Sequence, residues 1–421
     1  MGMFDKLLNI FQSSKQAPQA QAMLSFRTVQ TKPKKAANAG TQKKHRASAK
    51  PQTPQHKITQ TKSSSSTPVG AANWFNGIGS TSSMQSKDIT VYDLSGHPLN
   101  LTATDCKASG GEGTVYCIPR KQSVLVKIYK DELLQNPTKR SEIEKRIFDM
   151  LAFDREIDRQ YFAWPRGAVC NKQGQVIGFA MNNCNGISLR GLSGIRSIQE
   201  NFRGWTRYEL ALTAQDFLSK LMYLASKNIF VNDFNPANFL VDQKANVSFI
   251  DCDSFQVPGE KERINITRTY FASHVAPELL KTPQLLAQPR NIHQVEFGAA
   301  LTVFNILMCG LQPYNYYDPS HQSACGTPDE NLRKGRCPLG IGAGCKLPQG
   351  PWYNLWSYIP FKLKNSFIQT FRDGHSDPSK RVSLKELHSN VSELLHLMQL
   401  DKAYLDLNPS NPRPKKDTYA S

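Results

Sequence analysis

Two hydrophobic periods divide the chain. Between residues 88 and 130 short apolar runs alternate with turns: "ITVYDL", then a glycine cluster, then "SVLVKIYK". That pattern predicts strands joined by tight connections, and "VIGFAMN" at 176–182 predicts another. In between, "KRSEIEKRIFDMLAF" (139–153) sets Ile143, Ile147, Met150 and Leu151 on one helical face. From about residue 185 the helical period takes over. "ELALTAQDFLSKLMYLASKN" repeats Leu210, Ala214, Phe217, Leu218, Leu221 and Leu224 at that spacing, and "FGAALTVFNILMC" (297–309) is apolar nearly all round, as a buried helix is. The expectation is an α+β chain with a small β-rich part at about 88–184 and a larger helical part at about 185–398. No internal repeat is visible.

Charge separates off the N-terminus. Residues 1–85 hold twelve Lys or Arg against the single acid Asp5, a net +11 of the chain's +18. This Ser-, Gln- and Lys-rich stretch has too little apolar surface to offset the entropy of ordering, so a disordered basic tail is expected. No aromatic residue interrupts the charge between 28 and 73, so base stacking is absent and specific nucleic-acid binding is not expected. Met3, Phe4, Leu7, Leu8 and Phe11 predict a short amphipathic helix at 2–12, suited to a partner protein or a membrane surface. Residues 399–421 are read as a C-terminal tail.

No run reaches the length of a membrane span. The nine cysteines show no CxxC pairing, which suits a reducing, cytoplasmic setting. His321, Cys325, Cys337 and Cys345 share one loop-rich region, but their spacing fits no standard zinc module.

The most informative stretch is "VNDFNPANFLVD" (231–242), followed by "VSFIDCDSF". "FLV" and "VSFI" read as strands of a hairpin around the turn "DQKAN". Asn238 enters one strand and Asp251 leaves the other, so both converge with Asp233 on one small volume. An Asn carbonyl and a carboxylate are hard oxygen ligands suited to Mg²⁺. A second carboxylate beside them can accept a hydroxyl proton. Phosphoryl transfer also needs a positive side chain and a cover for the phosphates. Upstream, "ASGGEGTVY" places Gly110, Gly111 and Gly113 between strands, where backbone amides can approach an anion. Lys127 ends "VLVK" on the strand face that it shares with Leu125. Glu142 and Glu144 on the following helix are candidate partners for Lys127, and Glu144 is the expected one.

In this order the motifs resemble the eukaryotic-type protein kinase superfamily from roughly 100 to 398. "AWPRGAV", "GFAM" and "FIDCDSFQV" most resemble bacterial helix-hairpin-helix-associated serine/threonine kinase-like proteins. The resemblance implies a two-lobed fold, N-lobe about 88–184 and C-lobe about 185–398, within a domain at 88–398. It implies Asp233 as catalytic base, with Lys127 and Asn235 also catalytic, and Asn238 and Asp251 as Mg²⁺ ligands. Gly110, Gly111, Gly113, Val115, Lys127, Glu144 and Met181 correspond to the ATP site. Ala276, Pro277 and Glu278 spell "APE", with Arg381 as the expected ion-pair partner.

Several positions depart from that family. Ala108 replaces the first loop glycine; Val231 and Asn232 replace the His and Arg before the base. Asn235 replaces a lysine, Asp253 the glycine after the metal-binding Asp, and Val295 a buried Asp. No metal ligand, base or strand lysine is lost. An ATP- and Mg²⁺-dependent kinase acting on Ser/Thr of a protein substrate is therefore expected. The alternatives are a pseudokinase scaffold that binds nucleotide or a partner protein without transfer, and a kinase for a non-protein acceptor.

Overall fold

The computed structural model describes residues 88–259, 264–265, 271–315, 326–340, 346–400 and 404–414. The basic tail and the helix expected at 2–12 lie outside the described residues, as do His321, Cys325 and Cys345.

Seven antiparallel strands form one sheet: β1 (Ile89–Tyr92), β2 (Pro98–Leu101), β3 (Cys106–Ser109), β4 (Gly113–Ile118), β5 (Lys121–Tyr129), β6 (Pro165–Cys170) and β7 (Val176–Asn182), in the order β2-β1-β6-β7-β5-β4-β3. The central strands are the most apolar. Six consecutive residues of β7, Val176 to Met181, are buried, which is how a strand covered on both faces reads in sequence. Gly113 opens β4 so close to β5 that a Cβ there would lie 2.5 Å from the Ile128 carbonyl oxygen. The sheet itself therefore demands this glycine.

One helix crosses the sheet. In α1 (Pro137–Ala152) the Asn136 side chain accepts from the Thr138 and Lys139 amides, and Pro137 supplies a preset φ at the first turn. Its inward residues Ile143 and Ile147 pack with Leu125, Tyr129, Ala168, Phe179 and Met181 from the sheet.

The helical part is built on α2 (Arg207–Ala225), α3 (Ile292–Leu307), α4 (Phe361–Phe371) and α5 (Leu384–Gln399). Thr206 and Glu209 form a capping box at the start of α2. The α3 helix is buried along most of its length, as its sequence predicts. Arg381 grips Glu278 with two hydrogen bonds, Nη1 to Oε1 at 2.9 Å and Nη2 to Oε2 at 2.7 Å. It also donates to the Gly374 and His293 carbonyls, and its side chain is 0% exposed. Residues 404–414, set apart as tail in the sequence reading, lie against the start of α2 and the segment 354–358. The Arg207 amide donates to the Leu405 carbonyl, Asn354 to that of Pro409, and the Tyr358 and Tyr404 rings stack. No described helix is long and apolar enough to cross a membrane.

Candidate active site

The expected hairpin forms. β9 (Phe239–Val241) and β10 (Val247–Phe249) pair antiparallel with Phe239 opposite Phe249. β8 (Ile187–Ser188) adds on the far side of β9. Asp242 shapes the turn by accepting from the amides of Lys244 and Asn246. At the open end, the Ile250 amide donates to the Asn238 carbonyl at 2.8 Å, which brings the Asn238 and Asp251 ends together.

Asp233 lies between two buried apolar residues, Val231 and Phe234. Those anchors fix the backbone while the carboxylate reaches the site. Its Oδ1 accepts from the Asn235 amide at 3.2 Å and its Oδ2 from Asn238 Nδ2 at 3.3 Å. Burial, reinforced by the charge of Asp251, raises its pKa against the pull of the Asn235 amide. Such a carboxylate is better poised to take up a proton than an exposed one.

Asp251 has φ 56° and ψ 38°, in the left-handed region. A non-glycine residue rarely sits there, and such strain concentrates at functional positions. Its Oδ1 accepts from Lys127 Nζ at 2.6 Å. Burial and then the Asp253 charge raise its pKa, although solvent moderates the effect on a side chain that is 41% exposed.

Lys127 lies on β5 opposite Val115 of β4 on one side and Phe179 of β7 on the other. Its ammonium also contacts Asp253, at 2.9 Å to Oδ1 and 2.8 Å to Oδ2. Burial works against its charge, but Asp253 and Asp251 outweigh burial and hold its pKa above the ordinary lysine value. Asp253 is 1% exposed, and the same contacts keep it ionised in spite of burial, helped by the Tyr129 hydroxyl at 2.6 Å.

The hydrogen bonds of Lys127 thus run to Asp251 and Asp253, and not to the expected Glu144. The reason is the rotation of α1. Ile143, Ile147 and Met150 turn inward at helical spacing, carrying Arg146 with them. Arg146 Nη1 donates to the Asp253 carbonyl at 3.2 Å. Glu142 pairs instead with Lys139 at the surface, and Glu144 acts electrostatically on Cys170 of β6.

The glycine loop brings a further group that the sequence reading passed over. Glu112 lies within electrostatic reach of Lys127, Arg146, Asp251 and Asp253, and burial, then Asp253, raises its pKa. Gly110 and Gly113 close the turn, with the Gly110 amide donating to the Gly113 carbonyl at 2.9 Å. A Cβ on Gly111 would meet nothing within 4 Å, so this position is open. Met181 lies on β7 opposite Leu125. Asn235 Oδ1 accepts from the Ala237 amide at 3.0 Å and from Arg190 Nη2 at 3.1 Å. Alternation on β5 carried a signal for Tyr129, two residues beyond Lys127 on the same face. Asp253 carried one too, because a carboxylate in so apolar a setting requires a cation.

Three carboxylates, Glu112, Asp251 and Asp253, gather around Lys127 and Arg146, and a fourth, Asp233, lies within electrostatic reach of Asp251. That surplus of negative charge and the oxygen donors of Asn238 and Asp251 fit a divalent cation. Among the described residues no three His, Cys, Asp or Glu side chains form a closed metal centre. A cation held by Asn238 and Asp251 would keep its remaining coordination for water and substrate, as Mg²⁺ commonly does.

No protein-family model matches the chain. It is similar to protein kinase YegI of Escherichia coli O157:H7, 26% identical over 208 residues, or 49% of this chain and 31% of that protein. The K12 protein of the same name matches to the same extent. The match thus spans under a third of those relatives' length. It supports a distant kinase-like relationship and nothing finer.

Proposed function

We propose that the chain is a phosphotransferase of two-lobed, protein-kinase-like architecture that moves the terminal phosphoryl group of ATP to a Ser or Thr hydroxyl of a protein substrate. The observation that carries this reading is the convergence of Asp233, Asn238 and Asp251 at one hairpin end, with Lys127 bonded to Asp251 from the sheet. Asn238 and Asp251 would hold Mg²⁺, which supplies neutralisation of phosphate charge. Asp233 accepts the proton of the attacking hydroxyl. The hydroxyl oxygen bonds to the terminal phosphorus, and the bond to the bridging oxygen breaks to release ADP. Lys127 and the glycine-loop amides orient the phosphates, and Val115 and Met181 line the nucleotide side.

One observation favours a second reading. The ammonium of Lys127 is already engaged by two carboxylates, one fully buried. A scaffold that binds nucleotide or a partner without transfer would tolerate that arrangement. Labelled ATP and Mg²⁺, with and without a generic protein substrate, separate the two. Label transfer by the full chain that disappears in Asp233→Ala supports the enzyme. ATP binding without transfer in either protein supports the scaffold.

A further inference from the structure

Phosphoryl transfer places negative charge on the oxygens around the moving phosphorus, and stabilising it takes cations held against that group. The segment 231–242, which carries Asp233 and Asn238, contains no Lys or Arg. The two cations deeper in the site are already engaged by other partners. Lys127 donates to Asp251 and Asp253, and Arg146 to the Asp253 carbonyl. Among the described residues, the hydroxyl-accepting side of the site is therefore short of positive charge.

Arg190 supplies it from outside the segment. It sits in a single 3-10 turn, Leu189–Leu192, directly after β8, whose pairing with β9 ties the turn to the hairpin. Leu189 and Leu192 are buried and fix the backbone, while Arg190 between them stays exposed. Its Nη2 reaches Asn235 Oδ1 at 3.1 Å. Asn235 in turn donates its amide to Asp233 Oδ1 at 3.2 Å, so one residue links the guanidinium to the proposed base. Among the described residues, that guanidinium donates to Asn235 alone. A guanidinium carries several N–H donors in a planar fork that matches phosphate geometry.

We propose that Arg190 is a catalytic residue of this site, a tethered cation that contacts the terminal phosphoryl group of the bound nucleotide. The inference rests on the phosphoryl-transfer reading above. Asn235 then has two tasks: capping the turn at 236–238 and holding the guanidinium beside Asp233.

The test compares the full chain with Arg190→Gln and Arg190→Lys, measuring Mg²⁺-dependent turnover and, separately, the Kd values of ATP and ADP. The expected result for Arg190→Gln is a loss of about 10²-fold in turnover and a weaker preference for ATP over ADP, with ADP affinity unchanged. Arg190→Lys, which keeps the charge, should recover part of both. Turnover and nucleotide preference within threefold of the parent chain in Arg190→Gln would overturn the proposal. So would an equal loss of ADP and ATP affinity, which marks a merely structural role. If the parent chain binds ATP but transfers nothing, lost ATP preference in Arg190→Gln still supports the contact while the transferase reading falls. A parent chain that neither binds ATP nor turns over sinks both.

Discussion

Lys127 Nζ lies 2.8 and 2.9 Å from the two carboxylate oxygens of Asp253, and 2.6 Å from Asp251 Oδ1. Asp253 is thus the buried counter-ion of this lysine. Replacing it with Asn removes a charge from a pair in which both side chains are at most 7% exposed. Losing a charged hydrogen-bond partner costs about 2 kcal/mol, and Asp251 limits the damage. The expected drop in Tm for Asp253→Asn is about 4 °C or more, against almost none for Glu144→Gln. A thermal scan showing the larger loss in Glu144→Gln would reverse the assignment.

Asp251→Asn keeps a hydrogen-bond acceptor for Lys127 but withdraws a charged oxygen ligand. Turnover with ATP and Mg²⁺ should fall by at least about 10²-fold, while circular dichroism stays unchanged. Turnover near that of the parent chain would remove Asp251 from the proposed metal site.

Gly298 on α3 gives room to the Phe234 ring, which lies between Asp233 and Asn235 in sequence. A Cβ at 298 would stand 2.5 Å from Phe234 Cδ2 and 2.8 Å from its Cγ. Gly298→Ala gains helix propensity of about 1 kcal/mol, but the buried ring must move and take the loop with it, at about 1–3 kcal/mol. The expectation is a protein of similar or slightly lower Tm that has lost most of its turnover. Full activity in this variant would show that the loop is not held from behind by α3.

His274 is buried and its pKa is lowered to about 4, chiefly by burial, against the pull of its 2.6 Å contact with Asn305. The unfolded chain therefore takes up a proton near pH 6.5 that the folded chain refuses until about pH 4. Stability is complete above the first value and declines as pH falls towards the second, by up to roughly 3 kcal/mol at 1.36 kcal/mol per pKa unit. His274→Gln, which keeps a donor for Asn305, should flatten the fall in Tm over that range. The lowered pKa of His375 keeps some slope. An unchanged slope in His274→Gln would refute this account.

The parts of the site legible in the sequence are those that local geometry decides. Two strands around a tight turn bring Asn238 and Asp251 together however the rest packs, and a buried α3 needs only an all-round apolar pattern. The Lys127 partner depends on how α1 is rotated about its axis, and two inward isoleucines fix that rotation in favour of Arg146. Glu142 and Glu144 cannot face the same way, which favoured Glu144 in the sequence reading but left Arg146 and Asp253 out of view. Arg190 is further from reach: an exposed arginine far from Asn235 in sequence carries no periodic signal, and only pairing of β8 with β9 joins them. The docking of 404–414 was equally silent: two of its contacts run through the Leu405 and Pro409 carbonyls, which every residue type possesses, and a lone Tyr404 carries no periodic signal.

The three hydrogen bonds of Lys127 also set a threshold for whatever arrives. A phosphate that recruits this ammonium competes with two carboxylates already in place, so the observed affinity equals the intrinsic one reduced by the free energy of loosening them. Each 1.4 kcal/mol of that competition weakens apparent binding about tenfold. On the phosphoryl-transfer reading, nucleotide affinity and the thermal stability of the chain are opposed at this point. Substitutions that relax Asp253 should tighten one as they lower the other.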